Sequence, residues 1–305
     1  MRWRTRVALI VAAAGIGAYV WHYPPAPAIE AARQPAQPVS VLRWAGVDDW
    51  FGGFSGLEIA GDGRGFYAVT DRGHLVAGKL ERDVDDTLVS VSVESERLLK
   101  DDSGRPLDTP RADSEGLALG PDGRLYISFE RIPRVMVYDT TDSDGRWASY
   151  SKAWRALSRN GALELLAIDA EGTLYTIPEQ SGRGAPEGLV YRKLPDSKWD
   201  QPFNIPLEGR YLPVGADFGP DGRLYVLERD VYPFGFRSRV RSFLIGEKGL
   251  RNERTEFETR LNEYGNLEGL AVWRDRAGRI RLTMVADDNF LPVQRSQIVE
   301  FAIAE

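Results

Sequence analysis

Carboxylates return along this chain at a spacing that would gather them on one face. Glu115, Glu164 and Glu268 each open a short apolar run, while Asp71, Glu130, Glu179, Glu228 and Asp287 each close the run that follows. An oxygen-only donor set suits a hard cation, because Ca²⁺ accepts roughly six to eight oxygens in flexible geometry and can draw them from separate segments. Glu115, Glu164, Glu268, Asp217 and Asp287 are therefore the expected metal ligands, with Ca²⁺ as the cofactor. The alternative is that each glutamate accepts backbone N–H groups of its own unit. Arginines follow three of the outer acids, in Asp71-Arg72, Glu130-Arg131 and Glu228-Arg229. The guanidinium fork matches phosphate or carboxylate oxygens. Arg72, Arg131 and Arg229, together with Asn289 of Asp287-Asp288-Asn289-Phe290, are thus candidates to bind a small anionic substrate. Ion pairs between neighbouring units are the competing reading. Glu130 or Asp71 would accept the proton, and His74 is a further candidate base because imidazole titrates near neutrality.

Composition removes other chemistries. The chain has no cysteine, which excludes disulfides, thiolate metal sites and cysteine nucleophiles. It has two histidines, His22 and His74, so a histidine-rich zinc site is excluded as well. Without Arg2, Arg4 and Arg6 the balance is 36 basic to 45 acidic residues, net −9, and such an acidic domain lacks the basic face a nucleic acid needs.

Five hairpins would have to position these acids. Each unit is an apolar run, a turn containing glycine, and a second run rich in Leu, Tyr, Ile and Val. The turn glycines are Gly63, Gly123, Gly172, Gly222 and Gly278, at spacings of 60, 49, 50 and 56 residues. Asp-Gly between two such runs is a strong hairpin signal. Glu115 and Glu130 lie symmetrically about one turn, and Glu164 and Glu179 about the next, so antiparallel pairing carries both acids of a unit to the end opposite its turn. A β-type period near 50 residues indicates a propeller. The predicted fold is all-β, a single propeller over residues 41–305 with six blades, five being the alternative. Six allows for extra strands in the long segments 73–110 and 231–262. Residues Val39–Trp44 are expected to close the ring against Ile298–Ile303, which removes exposed edges. Small residues such as Gly116, Ala118, Gly215 and Gly269 suit the crowded axis. Glu187-Gly188-Leu189 imitates a repeat but has no turn in register.

The N-terminus reads as an export segment. Arg2, Arg4 and Arg6 precede an apolar stretch from Val7 to Trp21. Residues 1–22 are a signal peptide or a membrane anchor, and 23–40 a Pro/Ala-rich linker. Either outcome puts the domain in the periplasm or outside the cell, with a tether to the inner membrane if the segment is retained. The domain is expected to be a monomer.

The blocks Gly53-Phe54-Ser55-Gly56-Leu57 with Thr70-Asp71-Arg72-Gly73, Asp113-Ser114-Glu115-Gly116-Leu117-Ala118 with Phe129-Glu130-Arg131, and Asn266-Leu267-Glu268-Gly269-Leu270-Ala271 with Asp287-Asp288-Asn289-Phe290 resemble the phytase-like ("esterase-like activity of phytase") family. The resemblance runs from about residue 45 to the C-terminus and implies an exported β-propeller with phytase- or esterase-like activity. The repeats are also similar to the calcium-dependent gluconolactonase-type propellers, but Glu115, Glu164 and Glu268 stand at the positions where asparagines are common there. The expected function is metal-dependent hydrolysis of an anionic ester, a phosphate ester first. A lactonase and a non-enzymatic periplasmic binding propeller are the alternatives.

Overall fold

The computed structural model describes residues 36–157, 161–179, 186–291 and 293–303. The predicted export segment and most of the linker lie outside these residues. Among the described residues no helix is long and apolar enough to cross a membrane.

Among the described residues, twenty strands form five antiparallel sheets of four. Blade 1 is β2 (Phe54–Ile59), β3 (Gly65–Thr70), β4 (His74–Arg82) and β5 (Leu88–Leu98). Blade 2 is β6 (Ser114–Leu119), β7 (Leu125–Phe129), β8 (Arg134–Tyr138) and β9 (Arg146–Ser149). Blade 3 is β10 (Leu165–Ile168), β11 (Leu174–Ile177), β12 (Glu187–Lys193) and β13 (Asp200–Pro206). Blade 4 is β14 (Leu212–Phe218), β15 (Leu224–Tyr232), β16 (Gly235–Gly246) and β17 (Gly249–Glu258). Blade 5 joins β18 (Asn266–Arg274), β19 (Ile280–Asp287) and β20 (Gln297–Ile303) to the N-terminal β1 (Ala36–Arg43).

The count is five blades, not six. The long segments that left room for another blade are consumed by extended outer strands. β4 and β5 fill most of 73–98, and β16 and β17 fill 235–258, each pair completing its own sheet. Closure by the N-terminal strand is as expected, with Val41 opposite Val299 and Leu42 opposite Ile298. The strand begins at Ala36, within the stretch read as linker.

Each inner hairpin turns the same way. An aspartate Oδ1 accepts backbone N–H groups across the turn, as Asp62 does from Arg64 at 2.8 Å, Asp169 from Thr173 at 2.7 Å and Asp275 from Arg279 at 2.9 Å. The turn glycine takes the left-handed conformation, with φ of 81° at Gly123 and 74° at Gly222.

Apolar packing lies between blades. Five clusters of buried side chains each draw on two adjacent blades, such as Phe257 of blade 4 stacked on Phe301 of blade 5. Two sets of buried ions brace the sheets, one within a blade and one between blades. Glu228 is held by Arg239 and Arg241 inside blade 4. Glu300 of β20 is held by Arg281 at 2.7 Å and by Arg82 of blade 1 at 2.6 Å, which ties the closing seam.

At the axis the five inner strands β2, β6, β10, β14 and β18 touch in a ring. A Cβ on Gly215 would lie 2.2 Å from the Glu268 carbonyl oxygen, and one on Gly116 would lie 2.5 Å from the Leu166 nitrogen. The remaining axial cavity is about 10 Å³, room for about one water. The channel is therefore closed at mid-height, and the two faces of the ring are separate surfaces.

Candidate functional site

The strand register fixes which residues share a level on the face opposite the turns. Gly116, Gly215, Gly269 and Gly56 align across the inner strands, paired near Ser128, Leu227, Val285 and Val69. The residues immediately before that level form an inner ring of Ser55, Glu115, Glu164, Val214 and Glu268. Two residues beyond it on the second strands lies an outer ring of Asp71, Glu130, Glu179, Arg229 and Asp287.

Blade 4 thus breaks the pattern twice, with Val214 in the inner ring and Arg229 in the outer one. The sequence assigns Glu228 to the outer ring, but the side chain points into its own blade and is fully buried between Arg239 and Arg241. The offset was readable. Glu130 and Glu179 each stand seven residues after their turn glycines, and the seventh residue after Gly222 is Arg229.

Asp113, Glu115 and Glu130 each bring a carboxylate oxygen to within 4.8 Å of the others. Asp113 and Glu115 are two apart on one chain segment and so face the same way. Glu130 comes down beside them from the second strand of the same blade. Its Oε1 accepts the Gly161 N–H, and the Glu164 carboxyl lies next to it. The sequence reading did not select Asp113 as a ligand, although its i, i+2 relation to Glu115 was available.

Burial and the nearby charges of Glu164, Glu268, Glu130 and Asp113 hold the Glu115 carboxyl well above the usual range. Burial, Glu179 and Glu130 do the same to Glu164. Asp287 is pushed up to about 8 by burial and the Glu268 charge. Asp71 rises to about 6, burial outweighing the opposing charge of Arg72. Carboxylates crowded this way disfavour their own ionised forms, and a divalent cation would reverse that. The all-oxygen set of Asp113, Glu115 and Glu130, with Glu164 beside Glu130, fits a hard cation such as Ca²⁺.

The two rings together make an acidic cup, and Arg229 belongs to its blade 4 side. It bonds Glu268 Oε1, Glu179 Oε1 at 2.9 Å and Asn266 Oδ1 at 2.8 Å. Glu268, expected as a metal ligand, is therefore already paired with a cation from the protein. Arg131 is exposed on the rim, its Nε bonded to Asp113 Oδ2 at 2.8 Å. Arg72 is exposed and stacks on the Phe290 ring at 3.3 Å. The three arginines hold three different positions rather than one repeated one.

Asp71 Oδ1 is buried without a hydrogen-bond partner, and a Cβ on Gly53 would lie 2.4 Å from it. Asp287 Oδ1 accepts the Asn289 N–H at 2.8 Å, while the exposed Asn289 side chain bonds Gln294. Asn289 thus stands in an Asx-type turn at the rim. His74 sits at the start of β4, its Nδ1 2.5 Å from Glu96 Oε1, away from the inner strands.

Asp217 is not brought to this cup. It lies three residues past Val214, about 10 Å further along the strand toward the turn face. There its Oδ2 accepts the Val272 N–H at 2.6 Å, and burial lifts its carboxyl to about 7. Its counterpart is Glu58, three residues past Ser55, which accepts the Leu119 N–H at 3.1 Å. Burial and the Asp217 charge raise Glu58 well above the usual range. The sequence reading missed Glu58, and the shared register with Asp217 was the signal.

Comparison with known proteins adds a family. The model for "Phytase-like: Esterase-like activity of phytase" matches residues 49–290. No curated protein sequence matches the chain. Among solved structures, a protein of unknown function from Dyadobacter fermentans aligns with a TM-score of 0.47 and 11% identity, covering 88% of this chain and 100% of that one. A candidate gluconolactonase aligns with a TM-score of 0.45 and 14% identity, covering 93% and 98%. The virginiamycin B lyase of Staphylococcus aureus aligns with a TM-score of 0.44 and 11% identity, covering 88% and 100%.

Proposed function

The chain belongs to the phytase-like family, and from that premise we propose that it is an exported, calcium-dependent hydrolase of anionic esters, with a phosphate ester as substrate. The observation that carries the reading is the convergence of Asp113, Glu115 and Glu130 to within 4.8 Å on the face opposite the turns. These three, with Glu164 beside them, would hold the ion. When bound, a divalent cation there supplies Lewis-acid polarisation of an ester oxygen and a more acidic water.

The chain's own residues do the rest. Arg131 stands exposed beside the triad, and Arg72 stands exposed on the neighbouring blade. Both orient the anionic group and stabilise charge that develops on it. The closed axis keeps the substrate on this face. Asp71 takes the proton, since its Oδ1 is buried and makes no hydrogen bond that would have to break first. The N-terminal Arg2, Arg4 and Arg6 with the apolar stretch after them support export.

The test is turnover of an aryl phosphate, phytate, a carboxyl ester and a lactone, with Ca²⁺ and with chelator. Wild type should hydrolyse a phosphate ester only with Ca²⁺. Arg131→Ala and Glu115→Gln should each lose about 100-fold or more, the scale of removing one electrostatic contact to the transition state. Turnover of lactones alone would reassign the reaction. No calcium-dependent turnover of any of the four would overturn the hydrolase reading in favour of a binding propeller.

A further inference from the structure

The break in blade 4 has a chemical meaning. Four blades place an acid in the outer ring, and blade 4 places Arg229 there. Three place an acid in the inner ring, and blade 4 places Val214 there. A valine at that level brings no carboxylate of its own. The Arg229 guanidinium reaches both neighbouring blades and is met by three oxygens. They come from Glu179 of blade 3, and from Asn266 and Glu268 of blade 5. Asn266 Nδ2 also bonds Glu268 Oε1 at 2.7 Å, which fixes that carboxylate where the guanidinium meets it.

We propose that Arg229 is a built-in cation that occupies a second ion position in the acidic cup, so that the cup takes one metal ion where its carboxylates would otherwise hold two. This inference rests on the cation reading above. It assigns Arg229 a positioning role and not a contact with substrate. Holding Glu268 and Glu179 on its own side, Arg229 confines the exchangeable ion to Asp113, Glu115 and Glu130, off the axis and next to Arg131. The substrate is thereby directed to the rim of blades 1 and 2.

Oxygen geometry supports the exchange. Without the guanidinium, Glu268 Oε1, Glu179 Oε1 and Asn266 Oδ1 are left facing the space it vacates, and a glutamine at 229 would add a fourth oxygen. Two carboxylates and two amide oxygens form a donor set that Ca²⁺ accepts. A lysine at 229 would keep the charge as a point ammonium and leave no vacancy to fill.

The experiment is calorimetric titration of CaCl₂ into metal-free protein, with thermal melting beside it. Wild type and Arg229→Lys should bind one ion per chain, and Arg229→Gln two. Arg229→Gln should also be the variant most stabilised by CaCl₂. If Arg229→Gln folds only when CaCl₂ is present, the ion has replaced the guanidinium and the inference stands. If it fails to fold with CaCl₂ as well, the inference is overturned. One ion in both wild type and Arg229→Gln, at equal affinity, would overturn the role of Arg229 and leave the cation reading intact. No ion in wild type but one in Arg229→Gln would overturn the cation reading and leave the role of Arg229 intact.

Discussion

Glu228 and Arg229 are adjacent in sequence and opposite in placement. Glu228 is enclosed by two arginines whose side chains are themselves buried. Removing one partner of such a set strands the others in the interior, which costs about 3–5 kcal/mol. Glu228→Gln should therefore lower unfolding free energy by about that amount in denaturant titration, with or without Ca²⁺. Glu115→Gln should behave differently. It removes one of several mutually repelling carboxylates, so in chelator at pH 8 its melting temperature should exceed that of wild type. In Ca²⁺ the order should reverse, because ion binding to the native state stabilises wild type by mass action. Equal melting temperatures for wild type in Ca²⁺ and chelator would refute the ion site. At this scale the sequence showed which acids gather on one face, since hairpin symmetry alone places Glu115 with Glu130. It misplaced the blade 4 acid by one residue. A one-residue slip in a strand turns every side chain to the other side, which here separates Glu228 inside the blade from Arg229 in the ring.

The inner strands are spaced by backbone, not by side chains, where they meet. Gly215→Ala would drive a methyl group into the Glu268 carbonyl, at 2.2 Å. Neither strand can yield without disturbing its blade, so a loss of about 1–3 kcal/mol is expected, the usual scale of overpacking. Gly123→Ala, at a turn where nothing lies within 4 Å, should cost less, through its φ of 81° alone. Comparison of the two variants by thermal denaturation separates crowding from backbone strain. The turns were the most legible elements, because Asp and Gly carry the conformation in their own chemistry. The blade count was not legible. The lengths of β4, β5, β16 and β17 are set by pairing with one another, and no residue within 73–110 or 231–262 marks a strand as outermost rather than as the start of a new blade.

For the whole molecule, the raised carboxyls set the response to pH. Glu58, Asp71, Glu115, Glu164, Asp217 and Asp287 all titrate above their usual range, with Asp71 at about 6, Asp217 at about 7 and Asp287 at about 8. The native state therefore holds more protons than the unfolded chain from about pH 4 to about pH 8, and stability falls as pH rises through that window. Glu300 acts in the opposite sense. Burial alone would raise it, but the hydrogen bonds from Arg82 and the charges of Arg82 and Arg281 lower it. Its contribution is present above the unfolded carboxyl value and is lost as the medium becomes more acidic. Metal-free protein should melt at a higher temperature at pH 6 than at pH 8, and Ca²⁺ should raise the pH 8 value more. A melting temperature independent of pH in chelator would contradict this.

The closing seam also imposes an order in time. Ser40 of β1 bonds Glu300 of β20 across 260 residues of chain. A ribosome adding about 5–20 residues per second needs tens of seconds to travel that distance. The first strand of the ring to be synthesised must wait, unpaired, for the last. Each of the four preceding blades can complete its own sheet as it emerges, but the fifth cannot, and until it does the seam gains none of its buried ion pairs. A nascent chain of this protein stays an open arc until its final strand has been made.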